Sequence, residues 1–412
     1  MSKIRIKNFG PIKEGCLENN GWIDIKKVTV FIGNQGSGKS TVAKVISTLT
    51  WLEKSINRGD INKTELSIYL FKEYFKYQGI FEYFHIDTEI DYHGDKYSIK
   101  FYSKEKHLDI YESVNNGYTV PKIMYIPAER NTLSTINNIF NVTGMPDHLF
   151  TFAEELKKAQ KELNGHRLEL PINNYEYEYD EATDSSYVIG QDHEINLLKA
   201  SSGLQSLIPL YLVSRNLARL ITQHDEVLRK NMNADLSIRM NDEITSLMLH
   251  STISEQERDL KLKFIRSKYL GKCFVNIVEE PEQNLFPTSQ WQMLQQLLEF
   301  NNLSNWNKLI ITTHSPYIIN YLSIAIQGAD LVEKIESSSN LTLLSEKLNK
   351  IVPIAALVPV IYTVIYQLDE TNGTITRLPD PEGIPSDKNY LNQSISEGNR
   401  LFDALLEIEE EL

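Results

Sequence analysis

Val28-Thr-Val-Phe-Ile-Gly33-Asn-Gln-Gly-Ser-Gly-Lys-Ser40 is the stretch that decides the fold class. A run of apolar and β-branched residues breaks into a glycine-rich octapeptide that matches GxxxxGK[ST] in full. Lys39 to Leu52 then carries an amphipathic helical pattern without a proline, so the stretch reads as strand, glycine loop and helix. Such a loop turns backbone N–H groups toward phosphate oxygens, and the following helix adds the positive end of its dipole. Gly33, Asn34, Gln35, Gly36, Ser37, Gly38, Lys39, Ser40 and Thr41 are the expected nucleotide contacts. Among them, Lys39 would reach the β and γ phosphates and Ser40 would offer its hydroxyl to Mg²⁺.

A second stretch, Cys273-Phe-Val-Asn-Ile-Val-Glu-Glu-Pro-Glu-Gln-Asn-Leu-Phe-Pro287, runs from a mostly apolar strand into the adjacent carboxylates Glu279 and Glu280. The C-terminal ends of strands are where parallel sheets build their sites. Two carboxylates at a dry strand end repel each other, and a metal with an ordered water gives their proximity a reason. Glu279 is therefore assigned to the metal through its water shell, and Glu280 to aligning and deprotonating the attacking water. A solvated acidic loop is the alternative, and it leaves the strand, Pro281 and Asn284 unexplained. Glu282 reads as part of a turn leading toward a subunit interface.

Two further segments add candidates. Ser201-Ser-Gly-Leu-Gln205 is a small-residue turn ahead of a helical run. Ser202, Gly203 and Gln205 could clamp a second phosphate at the helix start, or the turn could simply cap the helix. Leu309-Ile-Ile-Thr-Thr-His314-Ser-Pro316 again passes from strand to polar turn. His314 there either contacts the γ phosphate or the attacking water, or caps the strand. Lys39, Glu280 and His314 are the expected catalytic residues.

Composition narrows the setting. The 412 residues carry 42 Lys and Arg against 55 Asp and Glu, a net charge of −13, which argues against a generic polyanion binder but not against a local basic groove. Cys16 and Cys273 have no metal-type or disulfide-framework spacing. Ile351 to Ile365 is the most apolar late stretch; it contains two prolines and is shorter than a membrane span of about 20 residues. A cytoplasmic protein without a membrane partner is expected. The organisation expected is an N-terminal ATPase lobe over 1–205 with a β-rich insertion at about 54–120, and a helical arm or lid over 206–272 with breaks near Asn233 and Asn241. The rest of the core would follow over 273–325, and an α/β extension over 326–412. The Tyr- and Phe-rich blocks before residue 120 suit a half-buried sheet better than a base-stacking platform.

In their order along the chain, these motifs resemble the ABC-type ATPase superfamily, in particular its non-transporter branch with RecF, SMC and OLD-like ATPases. The matching segments are Gly33 to Ser40, Tyr125-Ile-Pro-Ala-Glu-Arg130 at the sensor position, Ser201 to Gln205 at the signature, Val278-Glu-Glu-Pro-Glu282 and Thr313-His-Ser-Pro316. The resemblance implies an α/β fold: an ABC-type P-loop ATPase head with an antiparallel β subdomain and an inserted helical arm or lid. It implies ATP and Mg²⁺ as cofactors. It also implies homodimeric heads, with a larger homo-oligomer open, in which Ser202 and Gly203 act on the opposite subunit's ATP.

The chain departs from the family pattern at five places. Leu204 stands where the signature has its second glycine, Ser201 stands where it begins with leucine, and Glu279 replaces the commoner aspartate. Glu129-Arg130 replaces the sensor glutamine, leaving Arg130 to bind phosphate or organise the interface. Phe286 stands where related sequences have histidine.

The chain also resembles the ATPase component of two-protein bacterial anti-phage systems such as PARIS or Septu. That implies a sensor or scaffold acting with a separate effector protein, a Toprim nuclease among the candidates, and a phage-derived trigger. No Asp-x-Asp follows His314, so a fused Toprim nuclease is not expected. A RecF-like DNA repair ATPase, with DNA as ligand, and a nucleotide-clamped scaffold with negligible turnover are the alternatives.

Overall fold

The computed structural model describes residues 2–113, 118–136, 139–163, 165–223, 232, 234–249 and 255–410. Its centre is a six-stranded sheet. The strand leading into the glycine loop, β3 (Val28–Gly33), is buried along its whole length, as are β12 (Cys273–Glu279) and all but the first residue of β13 (Lys308–Thr313). Strands covered on both faces read as continuous apolar runs, which is why these three were visible in the sequence. The order is β15-β14-β3-β13-β12-β7, where β7 is Pro121–Ile126, β14 is Thr363–Asp369 and β15 is Thr374–Arg377. All neighbours are parallel except β14 and β15. The carboxyl ends of β3, β7, β12, β13 and β14 therefore open on one edge.

One face of this sheet, including Val28, Val30 and Ile32, packs with the helices α3 (Asp147–Glu162), α4 (Ser202–Leu220), α7 (Pro287–Asn302) and α8 (Pro316–Glu336) into the larger core. The other face, with Phe31, Val275, Ile277 and Ile310, packs against α1 (Lys39–Arg58) and an antiparallel sheet. That sheet has the order β2-β1-β4-β5-β6, built from β1 (Ser2–Phe9), β2 (Trp22–Ile25), β4 (Phe84–His93), β5 (Tyr97–Tyr102) and β6 (His107–Glu112). The region 54–120 is thus no separate insertion: it opens with the last turn of α1 and the short α2 (Ile68–Glu73), and its strands pair with β1. Its aromatics are spent on packing, since Phe9, Phe71, Phe75 and Phe101 are fully buried and meet Phe84 edge to face. A small third sheet, β8 (Leu168–Glu169) to β11 (Glu194–Asn196) through β9 (Glu176–Asp180) and β10 (Ser185–Ile189), flanks α3.

Two expected boundaries move. Position 206 lies inside α4, whose Leu207, Ile208, Leu210, Val213 and Leu217 are buried in the larger core, so this helix belongs to the head. The described part of the arm is α5 (Ala234–Leu249) and α6 (Glu255–Tyr269), joined through Met240, Leu247, Ile265 and Tyr269. Asn241 lies within α5 and breaks nothing, while Asn233 lies outside the described residues. Position 326 falls inside α8, and β14 from the expected extension is inserted beside β3. The late apolar stretch Ile351 to Ile365 therefore ends as a core strand, following α9 (Leu341–Ile351). The last element is α10 (Tyr390–Glu410). Among the described residues, no helix is long and apolar enough to cross a membrane.

Candidate functional site

The loop after β3 is shaped by its neighbours. Leu368 of β14 pairs with Gly33, and a Cβ on Gly33 would sit 2.4 Å from the Leu368 carbonyl oxygen; with φ at +150°, only glycine fits. Asn34 donates from its side chain to Glu370 at 2.9 Å and accepts the Gln35 N–H at 2.8 Å. The loop closes through the Ser37 N–H to the Asn34 carbonyl, and the Val42 N–H to the Gly38 carbonyl begins α1. Lys39, 5 % exposed, folds back to donate to the carbonyls of Gly33 at 2.9 Å and Asn34 at 2.8 Å. Burial lowers its pKa to about 8, opposed by the charges of Glu280, Glu282, Glu279 and Glu370. The Ser37 hydroxyl is buried with no partner, and Ser40 is exposed at the start of α1.

At the end of β12 three glutamates diverge. Glu279 is 4 % exposed; one carboxylate oxygen accepts the Ala128 N–H at 3.3 Å and the other is buried and unpartnered. Glu280 takes a left-handed backbone, φ +43°, held by its N–H to the Thr312 carbonyl at 2.8 Å. A non-glycine residue in that region costs on the order of 1–3 kcal/mol, and such outliers cluster at functional sites. Its carboxylate lies 3.4 Å from His314 Nε2, and that hydrogen bond holds it below the usual carboxylate range. Glu282, expected in a turn leading toward a subunit interface, is half-buried: it accepts the His314 N–H at 2.8 Å, and desolvation of its carboxylate raises its pKa. Glu282 fixes the loop that carries His314.

Arg130 is the largest correction at the site. It neither faces phosphate nor lies at a surface: its relative exposure is 0 %, and its guanidinium donates to the carbonyls of Glu279 at 2.6 Å, Glu280 at 2.7 Å, Ser206 at 3.0 Å and Pro127 at 3.1 Å. One fork thus ties the ends of β7 and β12 to α4. Glu129 beside it is exposed. Nothing in a Glu-Arg pair after a strand distinguishes this inward clamp from a solvated loop.

The signature turn is split. Ser201 caps α4 by accepting the Leu204 N–H at 3.5 Å. Gln205, expected in a phosphate clamp, is buried and donates to the carbonyls of Leu197 and Leu198 at 3.2 and 3.1 Å, so it shapes the turn. Ser202 is exposed, and Gly203 lies against the 280–285 segment so closely that a Cβ would be 2.7 Å from the Asn284 carbonyl oxygen. Phe286, 73 % exposed, caps the start of α7 nearby.

A cleft of about 600 Å³ gathers Gln35, Gly36, Gly38, Lys39, Ser40, Thr41, Glu280 and His314, faced by Gly10, Pro11, Glu82, Tyr83 and His85 of the antiparallel lobe. Ser202 and Gly203 are not among its walls. The Gly10-Pro11 turn was legible, but Tyr83 and His85 were indistinguishable from the other aromatics of their region. The size suits a small-molecule ligand. Loop amides, a lysine and the Ser40 hydroxyl along the cleft are groups that a nucleotide with Mg²⁺ takes up, whereas Glu279, with its unpartnered oxygen, is not among the walls.

A family model described as "AAA ATPase domain" matches residues 130–319, from Arg130 through the signature turn and β12 to the start of α8. The match covers 190 of the 412 residues, and the glycine-rich loop lies ahead of it. No curated protein matches the chain. Solved structures similar to it include an Smc head bound to the C-winged helix domain of ScpA, at 9 % identity and TM-score 0.37, covering 91 % of this chain and 95 % of that one. Another is a dimeric ATP-binding cassette in a post-hydrolysis state with ADP and Pi, at 12 % identity and TM-score 0.27, covering 78 % and 91 %.

Proposed function

We propose that the chain is a Mg²⁺-dependent ATPase whose catalytic site is completed by the signature turn of a second head. The observation that carries this is the convergence of Lys39, Ser40, Glu280 and His314 on one cleft, with Ser202 exposed outside it. Lys39 exchanges the carbonyls of Gly33 and Asn34 for β and γ phosphate oxygens. Ser40 and Glu279 would hold Mg²⁺, which when bound neutralises charge on the phosphates. Glu280, kept ionised and oriented by His314, aligns the attacking water and accepts its proton. Glu282 and Arg130 keep those two side chains in place without touching the ligand. The exposed Ser202 and the start of α4 supply donors to the ATP of the opposite head.

In the cell, the head pair serves as the sensor or scaffold of an anti-phage system, and a phage component alters its assembly to release or activate a separate toxic effector. The motif set supports this reading. Purified protein should hydrolyse ATP, Glu280→Gln should bind it without turnover, and light scattering should show that variant pairing when ATP is added. No hydrolysis by the native protein and no nucleotide-driven pairing would remove the enzymatic reading. Failure to associate with the product of a neighbouring gene, together with unchanged phage plating, would remove the defence reading alone.

A further inference from the structure

The helix α10 leaves the molecule with its apolar side uncovered. Its root is fixed: Asn389 is buried and caps the helix by accepting the N–H groups of Leu391 and Asn392, both at 3.1 Å, while the Tyr390 N–H donates to Gln367 of β14 at 3.0 Å. From Gln393 to Glu410 every residue is exposed. At 100° per residue, Ile395, Leu401, Phe402, Leu405, Leu406 and Ile408 fall on one side, each 43–63 % exposed. Glu409 lies among them, and Asp403 and Glu410 border that side. A 21-residue helix spans roughly 30 Å, and helices in proteins draw most of their stability from packing such a face.

The same chain offers a complementary surface. On α9 and the turn after it, Leu341, Leu343, Ile351 and Ile354 are 46–62 % exposed. Lys347 and Lys350, at i+4 and i+7 from Leu343, are exposed there and have no ion pair among the described residues, and they outnumber the one acidic residue of the helix, the exposed Glu346. Two copies of α10 would set carboxylates against carboxylates, because five acidic residues of the helix face a single Arg400. The α9 surface offers apolar contact with a basic border instead.

We propose that α10 of one protomer docks on the α9 surface of a second copy of the chain, and that this contact forms without nucleotide. Each copy carries both surfaces, so a two-fold pair satisfies both contacts at once. The interface is distinct from the head pairing at the signature turn.

The test is light scattering on the full chain without nucleotide, across a concentration series. A species larger than the monomer is expected. Phe402→Asp with Leu405→Asp, or Leu343→Asp with Lys347→Glu, should each raise the dissociation constant at least about tenfold. All four side chains are exposed, so circular dichroism and thermal unfolding should match the native protein when both are measured at concentrations where the native protein is monomeric. Mixing the two double variants should recover association, because one α10–α9 contact remains intact. A monomer at every concentration, or association that survives the α9 substitutions, overturns the proposal. ATP-driven pairing of Glu280→Gln, measured separately, tells failure of this contact from failure of the head pairing.

Discussion

The acidic end of β12 and the turn that opens α4 meet at Ser206, yet one is finished and the other is not. At the strand end, Arg130 binds the carbonyls of Glu279 and Glu280, Thr312 holds the backbone of Glu280, and Glu282 braces the His314 loop. At the turn, only Ser201 and Gln205 are tied inward, and Ser202 is left to solvent. The contrast separates what one chain can preorganise from what it presents for another to use. Buried donors aimed at fixed carbonyls cost no reorganisation when the ligand arrives, whereas an exposed helix start is useful only to something outside.

Four substitutions sharpen or break that contrast. Glu280→Gln should lower turnover by about 10²–10⁴-fold, the usual contribution of a positioned base, with ATP binding retained; steady-state hydrolysis beside equilibrium nucleotide binding checks it. Arg130→Met should cost roughly 3 kcal/mol or more in urea unfolding, because several buried carbonyls lose their donor together. Arg130→Lys should recover only part of that, lacking the planar fork. Ser202→Arg should cut turnover about tenfold or more while unfolding stays within about 0.5 kcal/mol of native, as a surface change should. Were Ser202→Arg to destabilise the fold as Arg130→Met does, the division between the two regions would be wrong.

The smallest effect concerns Glu282. Burial raises its folded pKa, so between the ordinary carboxylate value and that raised value the native state holds a proton that the unfolded state has released. Its contribution is complete at low pH and is lost as pH rises through the folded pKa. Glu282→Gln keeps a neutral acceptor for the His314 N–H, so it should lie within about 1 kcal/mol of native near pH 4 and gain on it toward pH 8. Denaturant unfolding at several pH values reads this directly, and a difference that does not change with pH would show that folding does not raise the pKa of Glu282.

Much of the nucleotide end was legible because its signals are local. The octapeptide Gly33 to Ser40, the apolar runs of β12 and β13, and the carboxylates after them are contiguous, and the structure brings Lys39, Glu280 and His314 to one cleft. Arg130, Glu282 and Gln205 were misplaced for a shared reason. Each is a polar residue in a turn, where solvent is the ordinary partner, and each is instead turned inward, Arg130 and Gln205 buried and Glu282 half-buried, onto main-chain groups supplied by segments its own neighbours do not reveal. The strand β14 was missed as part of the head because strand adjacency depends on pairing between residues more than 300 apart, such as Thr363 with Val28.

By itself the sequence determined the glycine-rich loop, the acidic strand end and the His314 turn, since each rests on residue types at fixed short spacing. Only the tertiary structure decided that Glu282 and Arg130 brace the site, that Tyr83 and His85 face it, and that Ser202 lies outside it. Those assignments depend on which strands lie side by side and which groups lose water, and neither is set by any single stretch of chain.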